Sequence, residues 1–228
     1  MSTMRIRGQA LASALLLTLT TGVWAADQFL VEDWTKYPPG TKGIPADWKG
    51  QNWGSPAYDF TVVDNDGQLV LHLRSKDEGS TISREVKGKV NLKETPVLEW
   101  TWKVVTLPKG GDSCHKELDD QAAQVFVAWP RFPEPVRSRI IGYVWDSTRP
   151  AGTVCKSEKT GTVTYMVVRS GPADLGKWLT ERRNVRDDFK KIYGEEPENP
   201  GAVSLSIDSN DTKSTSESFM GAIRFVKP

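Results

Sequence analysis

The feature that most constrains the fold is a period of two, repeated in short runs along the chain. In Val97 to Val105, Leu98, Trp100, Trp102 and Val104 share one face, and Glu99, Thr101 and Lys103 share the other. In Gln68 to Arg74, Leu69, Leu71 and Leu73 alternate with Val70, His72 and Arg74. Successive side chains of a strand point to opposite sides, so such runs specify one buried and one wet face. Similar runs occupy Phe60 to Val63, Gln124 to Trp129, Arg139 to Trp145, Thr162 to Arg169, Ala202 to Ile207 and Ser218 to Val226. Gly, Pro, Asp or Ser bound each of them, and Asp64-Asn65-Asp66-Gly67 joins two as a turn. The expectation is eight or nine strands in an all-β, antiparallel sandwich of jelly-roll, concanavalin A-like type. One helix is expected over Val185 to Tyr193. There Val185, Phe189, Ile192 and Tyr193 share a face, Gly194 stops it and Pro197 follows. The mixed charges around it read as a solvated face with local ion pairs.

The N-terminus reads as an address. Arg5 and Arg7 precede an uncharged, apolar stretch from Ala10 to Val23, and Val23-Trp24-Ala25 supplies a cleavage site. Residues 1–25 are therefore expected to be a signal peptide and 26–228 a single sandwich domain, periplasmic or secreted. The apolar run is too short to span a bilayer core of about 30 Å, and no later stretch approaches that length. An uncleaved N-terminal anchor is the alternative. Without Arg5 and Arg7, 28 basic residues face 29 acidic ones. A neutral exterior argues against nucleic acid as a partner.

Export also governs how Cys114 and Cys155 are read. They are the two cysteines of the chain, and in an oxidising compartment a disulfide is the simplest pairing. A thiolate or metal pair using His115 is the rival.

Several spaced blocks resemble a known family. They are Leu98-Glu99-Trp100-Thr101-Trp102-Lys103, Asp119 to Val127, Ile141-Gly142-Tyr143-Val144-Trp145, Gly176-Lys177-Trp178 with Arg183-Asn184-Val185, Ser206 to Thr212, and Gly221 to Phe225. Together they resemble the bacterial family called domain of unknown function 3047, over about Phe29 to Lys227. The resemblance implies a bacterial exported protein and a sandwich like those of concanavalin-type lectins and carbohydrate-binding modules. It implies no catalytic residue. Where an acid is expected before the last strand, this chain has Gly221-Ala222, which puts a cation site there in doubt.

Catalytic signatures are sparse. His72 and His115 are the two histidines, and no Gly-x-Ser-x-Gly elbow, Gly-rich phosphate loop, two-histidine zinc motif or dinucleotide fingerprint occurs. No cofactor and no metal are therefore expected. Asp208, Asn210 and Asp211 form an oxygen-rich turn that is a weak calcium signal and otherwise an Asx-type turn. Asp119 and Asp120 are the most pointed acids, but as strand neighbours they face opposite ways and make no close dyad. For a glycosidase, Glu99, Asp146 or Asp208 would have to partner one of them. For a lyase, Tyr143, Tyr165 and Arg169 are candidates. The tryptophans offer flat, rigid platforms for sugar rings. Trp100 and Trp102 read as core. Trp48 and Trp53, in polar loop sequence, read as loop anchors or ligand platforms.

These observations lead to an exported sandwich that binds a ligand, a carbohydrate first among the options, without a catalytic constellation. The expected contacts on its open sheet face are Asp120, Trp129, Tyr143, Trp145 and Arg169. A carbohydrate-active enzyme on the same fold and an envelope structural or protein-interaction module are the alternatives. The oligomeric state is not legible.

Overall fold

A computed structural model describes residues 28–228. The proposed signal peptide lies outside the described residues. Among the described residues two sheets stack face to face. The first has β11 (Leu179–Asn184), β6 (Val97–Thr106), β13 (Thr215–Val226), β4 (Gln68–Lys76) and β3 (Asp59–Asn65) in that order. A sixth strand, β1 (Gln28–Glu32), pairs with the second half of β13. The second sheet runs β2 (Lys49–Gly50), β5 (Gly79–Glu85), β12 (Ala202–Asp208), β7 (Ala123–Trp129), β8 (Arg139–Asp146), β10 (Val163–Ser170), β9 (Val154–Lys156). The chain is an all-β sandwich, as its alternation predicts. All eight runs read as strands are strands. Among the described residues no helix is long and apolar enough to cross a membrane.

Five further strands escaped the reading. β11 reads LTERRN and β5 reads GSTISRE, too polar for an apolar signal, while β2 and β9 hold two and three residues. β1 completes the five. One pairing differs in direction: β10 lies parallel to β8. The connection between them makes its own strand, β9, antiparallel to β10, and so brings the chain back in the same direction.

Period two explains the core. Leu98, Trp100, Trp102 and Val104 are fully buried. Trp100 meets Tyr143 of the opposite sheet at 5.4 Å between ring centroids, and Trp102 meets Trp145 at 6.0 Å. Such tilted aromatic pairs stabilise by about 0.5–1.5 kcal/mol beyond the area they bury. Between β3 and β4, Asp66 and Gly67 both take positive φ, the two-residue hairpin geometry that favours an Asp-Gly pair.

The helix falls on its expected residues, α2 (Val185–Tyr193), after a one-turn α1 (Glu134–Arg137) that the reading lacked. The Asn184 side chain accepts from the Asp187 N–H, and Gly194 ends α2 in the left-handed region. Phe189 packs on Trp129 at 4.6 Å, closing one end of the sandwich. The solvated charges pair locally, Arg186 and Lys190 with Glu196.

Gly221 and Ala222 occupy a bulge where β13 slips against β6. A Cβ on Gly221 would collide with the Thr101 hydroxyl, and the Gly221 carbonyl accepts from the Trp34 indole at 2.9 Å. That site is a backbone contact, and its oxygen is already used.

Candidate functional site

A groove of about 920 Å³ crosses the outer face of the seven-stranded sheet. Strand register builds its floor. One row runs Ser83, Ser204, Phe126, Gly142, Tyr165, and the next begins Thr81, Ser206, Gln124 before passing under cover at Val144 and Val167, while Ile140 and Val163 line the β8–β10 side. The β5–β12 half therefore presents hydroxyls, and the β7–β10 half presents rings and aliphatic groups. Ser83 pairs with Ser204 at 2.7 Å and Thr81 with Ser206 at 2.9 Å. Gly142 lets the two rings close over the backbone: a Cβ there would meet Phe126 at 2.6 Å and Tyr165 at 3.0 Å.

Trp53 stands at the rim with 62% of its surface exposed. Gln51 holds its loop. The Gln51 amide nitrogen donates to the Trp53 carbonyl at 2.9 Å, and its amide oxygen accepts from the Thr81 N–H at 2.7 Å. Trp48 and Trp53 thus part company. Trp48 is buried, stacks on Trp34 at 5.7 Å and donates to Glu32 at 3.0 Å. It is a loop anchor; Trp53 is the exposed ring.

Two acids meet at one end of the groove. Asp119 is nearly buried, and burial raises its carboxyl to about 6 against the hydrogen bonds it accepts. Those come from the Gln121 amide at 3.0 Å and the Tyr165 hydroxyl at 3.2 Å. Burial, together with the negative charges of Asp120 and Asp119, pushes Asp208 well above the usual carboxylate range. Asp208 accepts from the Gln121 N–H at 2.6 Å and the Gln124 amide at 3.0 Å. Burial and the Asp119 charge drive Tyr165 upward, so its hydroxyl stays protonated.

The five contacts expected from sequence lie off this floor. Trp129, Tyr143 and Trp145 are on the right strands but the wrong face, buried between the sheets. The Tyr143 hydroxyl donates to Asp188 at 2.9 Å, and the Trp129 and Trp145 indoles donate to the carbonyls of Glu198 and Gly171. Asp120 is fully buried and accepts the N–H groups of Asp211 and Thr212, fixing that turn. Arg169 bonds Glu181 at 2.7 Å, tying β10 to the other sheet. A one-residue shift of parity moves every side chain to the opposite face, and that is the error for the three rings; Asp120 lies in the loop before β7, and Arg169 follows a register shift in β10. The expectation of these residues as open-face contacts is corrected to three core rings, a turn brace and an inter-sheet ion pair.

The other candidates also resolve. Asp119 and Asp120 do point apart. Of the possible partners of Asp119, Asp208 shares the groove. Asp146 is buried, accepting N–H groups of Ser113, Thr148 and Arg149. Glu99 sits on the far side of the other sheet with Arg182 and Arg224. In the 208–211 turn, Asp211 pairs with Lys159 and Asn210 donates to Asp211. No group of three His, Cys, Asp or Glu among the described residues could hold a metal. His72 bonds Glu217 at 2.7 Å and stacks on Phe219, and His115 pairs with Glu117. Cys114 and Cys155 form a disulfide, with Cα atoms 5.7 Å apart. It ties the loop before Asp119 to β9.

The groove residues missed by sequence are Gln51, Thr81, Ser83, Gln124, Phe126, Ser204 and Ser206. A signal was present in Val203-Ser204-Leu205-Ser206-Ile207, whose alternation separates a hydroxyl face from an apolar one.

A family model for proteins of unknown function, DUF3047, matches residues 46–224. The chain belongs to that family. No curated protein matches it. Among solved structures, a family 30 carbohydrate-binding module is similar at 12% identity, over 88% of this chain and 99% of that one, with a TM-score of 0.46. The family 30 module of a cellulosomal cellulase of Clostridium thermocellum is similar at 12% identity, over 83% and 96%, with a TM-score of 0.43. A xylan-binding domain from Paenibacillus barcinonensis is similar at 15% identity, over 90% and 99%, with a TM-score of 0.38.

Proposed function

We propose that this DUF3047 protein is an exported glycan-binding sandwich whose binding surface is the groove over β5, β12, β7, β8 and β10. One observation carries the reading: hydroxyls and rings lie side by side on the same floor, with Trp53 exposed at the rim. A sugar ring has the complementary surface, hydroxyls at its edge and flat C–H faces. The indole of Trp53 offers a rigid platform with two rotatable side-chain bonds, so little entropy is lost on contact. Thr81, Ser83, Ser204, Ser206 and Gln124 supply donors and acceptors whose dehydration costs less than that of charges. The N-terminal stretch that reads as a signal peptide and the Cys114–Cys155 disulfide support export.

Tryptophan fluorescence titrated with a panel of neutral plant and envelope polysaccharides tests this. At least one saccharide should shift the emission saturably. Trp53→Ala should weaken that saccharide by about 30-fold, as for an aromatic hot spot of about 2 kcal/mol. Silence across the panel contradicts the proposal.

A second reading rests on Asp119. A carboxyl raised to about 6 at the end of a groove suits a general acid. Release of reducing ends from a bound saccharide, lost in Asp119→Asn, would establish it. Intact saccharide after long incubation would leave binding alone.

A further inference from the structure

Beyond the groove, at the end of the sandwich where α1 and α2 approach each other, lies a second cavity of about 750 Å³. Arg131, Arg137, Arg139, Lys156 and Lys191 line it, and no acid does. Arg131 and Arg139 share a single carboxylate, Glu195, at 2.9 and 2.5 Å. Arg137, Lys156 and Lys191 have no carboxylate partner among the described residues. Arg137 donates to the Phe132 carbonyl at 3.1 Å instead. Convergent, uncompensated cations repel one another, and an anion held among them relieves that repulsion.

The same corner carries the two most exposed large apolar side chains of the described residues. Phe132 is 87% exposed and Val136 is 74% exposed. Both lie on the segment that supplies Arg131 and Arg137. Val154, which lines the cavity, is also exposed. A lysine on the edge strand β9 has a separate use, since charge blunts edge-to-edge pairing. That accounts for Lys156 but not for Phe132 and Val136.

We propose that this corner docks on a lipid surface bearing anionic phosphate headgroups. Phe132 and Val136 enter the boundary between headgroups and acyl chains, and Arg137, Lys156 and Lys191 take the phosphates. A free oxyanion or an acidic glycan would satisfy the cations and leave both apolar side chains in water. An anionic lipid surface satisfies both sets, and that decides between them. The cavity adjoins the groove, with Ser138 lining both and Glu134 of α1 facing the groove, but Phe132, Val136, Lys156 and Lys191 do not line the groove.

Co-sedimentation of the full chain with vesicles tests it, using phosphatidylcholine alone and phosphatidylcholine mixed with phosphatidylglycerol. Binding should require the anionic lipid and fall with salt. The pair Lys156→Ala and Lys191→Ala should weaken it about 30-fold, at about 1 kcal/mol for each cation near the surface. The pair Phe132→Ser and Val136→Ser should weaken it about tenfold through lost apolar burial. Both pairs should leave any saccharide response unchanged, so failure of the groove reading and failure of this one are separable. Equal binding to neutral vesicles overturns the proposal. So does vesicle binding indifferent to the Phe132 and Val136 pair. Binding of pyrophosphate or dextran sulfate without vesicle binding overturns it in favour of a plain polyanion site.

Discussion

The outer faces of the two sheets are built from the same alternation yet are chemically opposed. On the six-stranded sheet the outward residues are charged and matched. Arg182 and Arg224 flank Glu99, Arg74 bonds Asp59, and Glu217 bonds His72. Lys103 sits over the Trp178 and Phe219 rings and donates to Asn65. On the seven-stranded sheet the groove floor is Ser, Thr, Gln, Phe, Tyr and aliphatics, with Asp119 and Asp208 at one end and Asp77, Glu78, Glu134 and Lys159 around the rim. The first face has answered its own charges. Burial raises the Glu99 carboxyl, but the hydrogen bonds and charges of Arg224 and Arg182 outweigh that and hold it below the usual range. A ligand landing there would have to displace internal partners. The second face carries groups that water solvates weakly or that bond sideways to each other, and a ligand can replace that water. The contrast teaches that where the floor of a sheet's outer face carries few charge pairs, that floor is available.

The comparison can be broken from the core outward. Trp145 and Tyr143 were legible as strand residues, and Trp145 belongs to the core by its packing on Trp102. Trp145→Ala should cost about 3–5 kcal/mol of stability, the range for a large aromatic removed from a core. Trp53→Ala should move the urea midpoint hardly at all. A result with the two reversed would mean that the faces have been misassigned. Opening the disulfide comes next. Cys114 and Cys155 enclose a long loop, and chain entropy sets the loss for Cys114→Ser with Cys155→Ser at no more than about 4 kcal/mol. Because that bridge anchors the loop before Asp119, saccharide binding should weaken along with stability.

A smaller effect concerns Asp119 itself. Its folded carboxyl, at about 6, lies above the usual value of 3.8. Between those pH values the folded chain binds more protons than the unfolded one. Its contribution is therefore full below about pH 4 and is lost as pH rises through about 6. Asp119→Asn should raise the melting temperature at pH 7 and converge on the wild type near pH 4, by at most about 3 kcal/mol. The opposite face supplies the contrast. Glu99 sits below its usual value, so it stabilises at neutral pH and fades on acidification. Glu99→Gln should cost about 1 kcal/mol at pH 7, the scale of a partly exposed ion pair, and less as pH falls. A melting curve series across pH distinguishes the two signs.

The sandwich was legible because Leu98, Trp100, Trp102 and Val104 admit one arrangement only, and α2 because its cap and stop flank a clear apolar stripe. The groove was not, because β7 and β8 are apolar on both faces. In Ala123 to Trp129 large aromatics occur at both parities, Phe126 and Trp129, and in Arg139 to Trp145 Ile140 and Val144 oppose Ile141 and Tyr143, so composition does not say which side is inward. The more polar neighbour β12 settles it: Ser204 and Ser206 must face out if Val203, Leu205 and Ile207 face in, and pairing then turns Gln124 and Phe126 outward. β5 and β11 were invisible for a related reason, since ion pairs and hydroxyl ladders stabilise them where apolar residues were sought.

The most direct test is residue-resolved amide NMR during titration with a saccharide that alters tryptophan emission. The account predicts shifts at Thr81, Ser83, Gln124, Ser204, Ser206 and the Trp53 indole, with Thr101, Lys103 and Arg182 unmoved. Shifts confined to the charged face of the six-stranded sheet would contradict it.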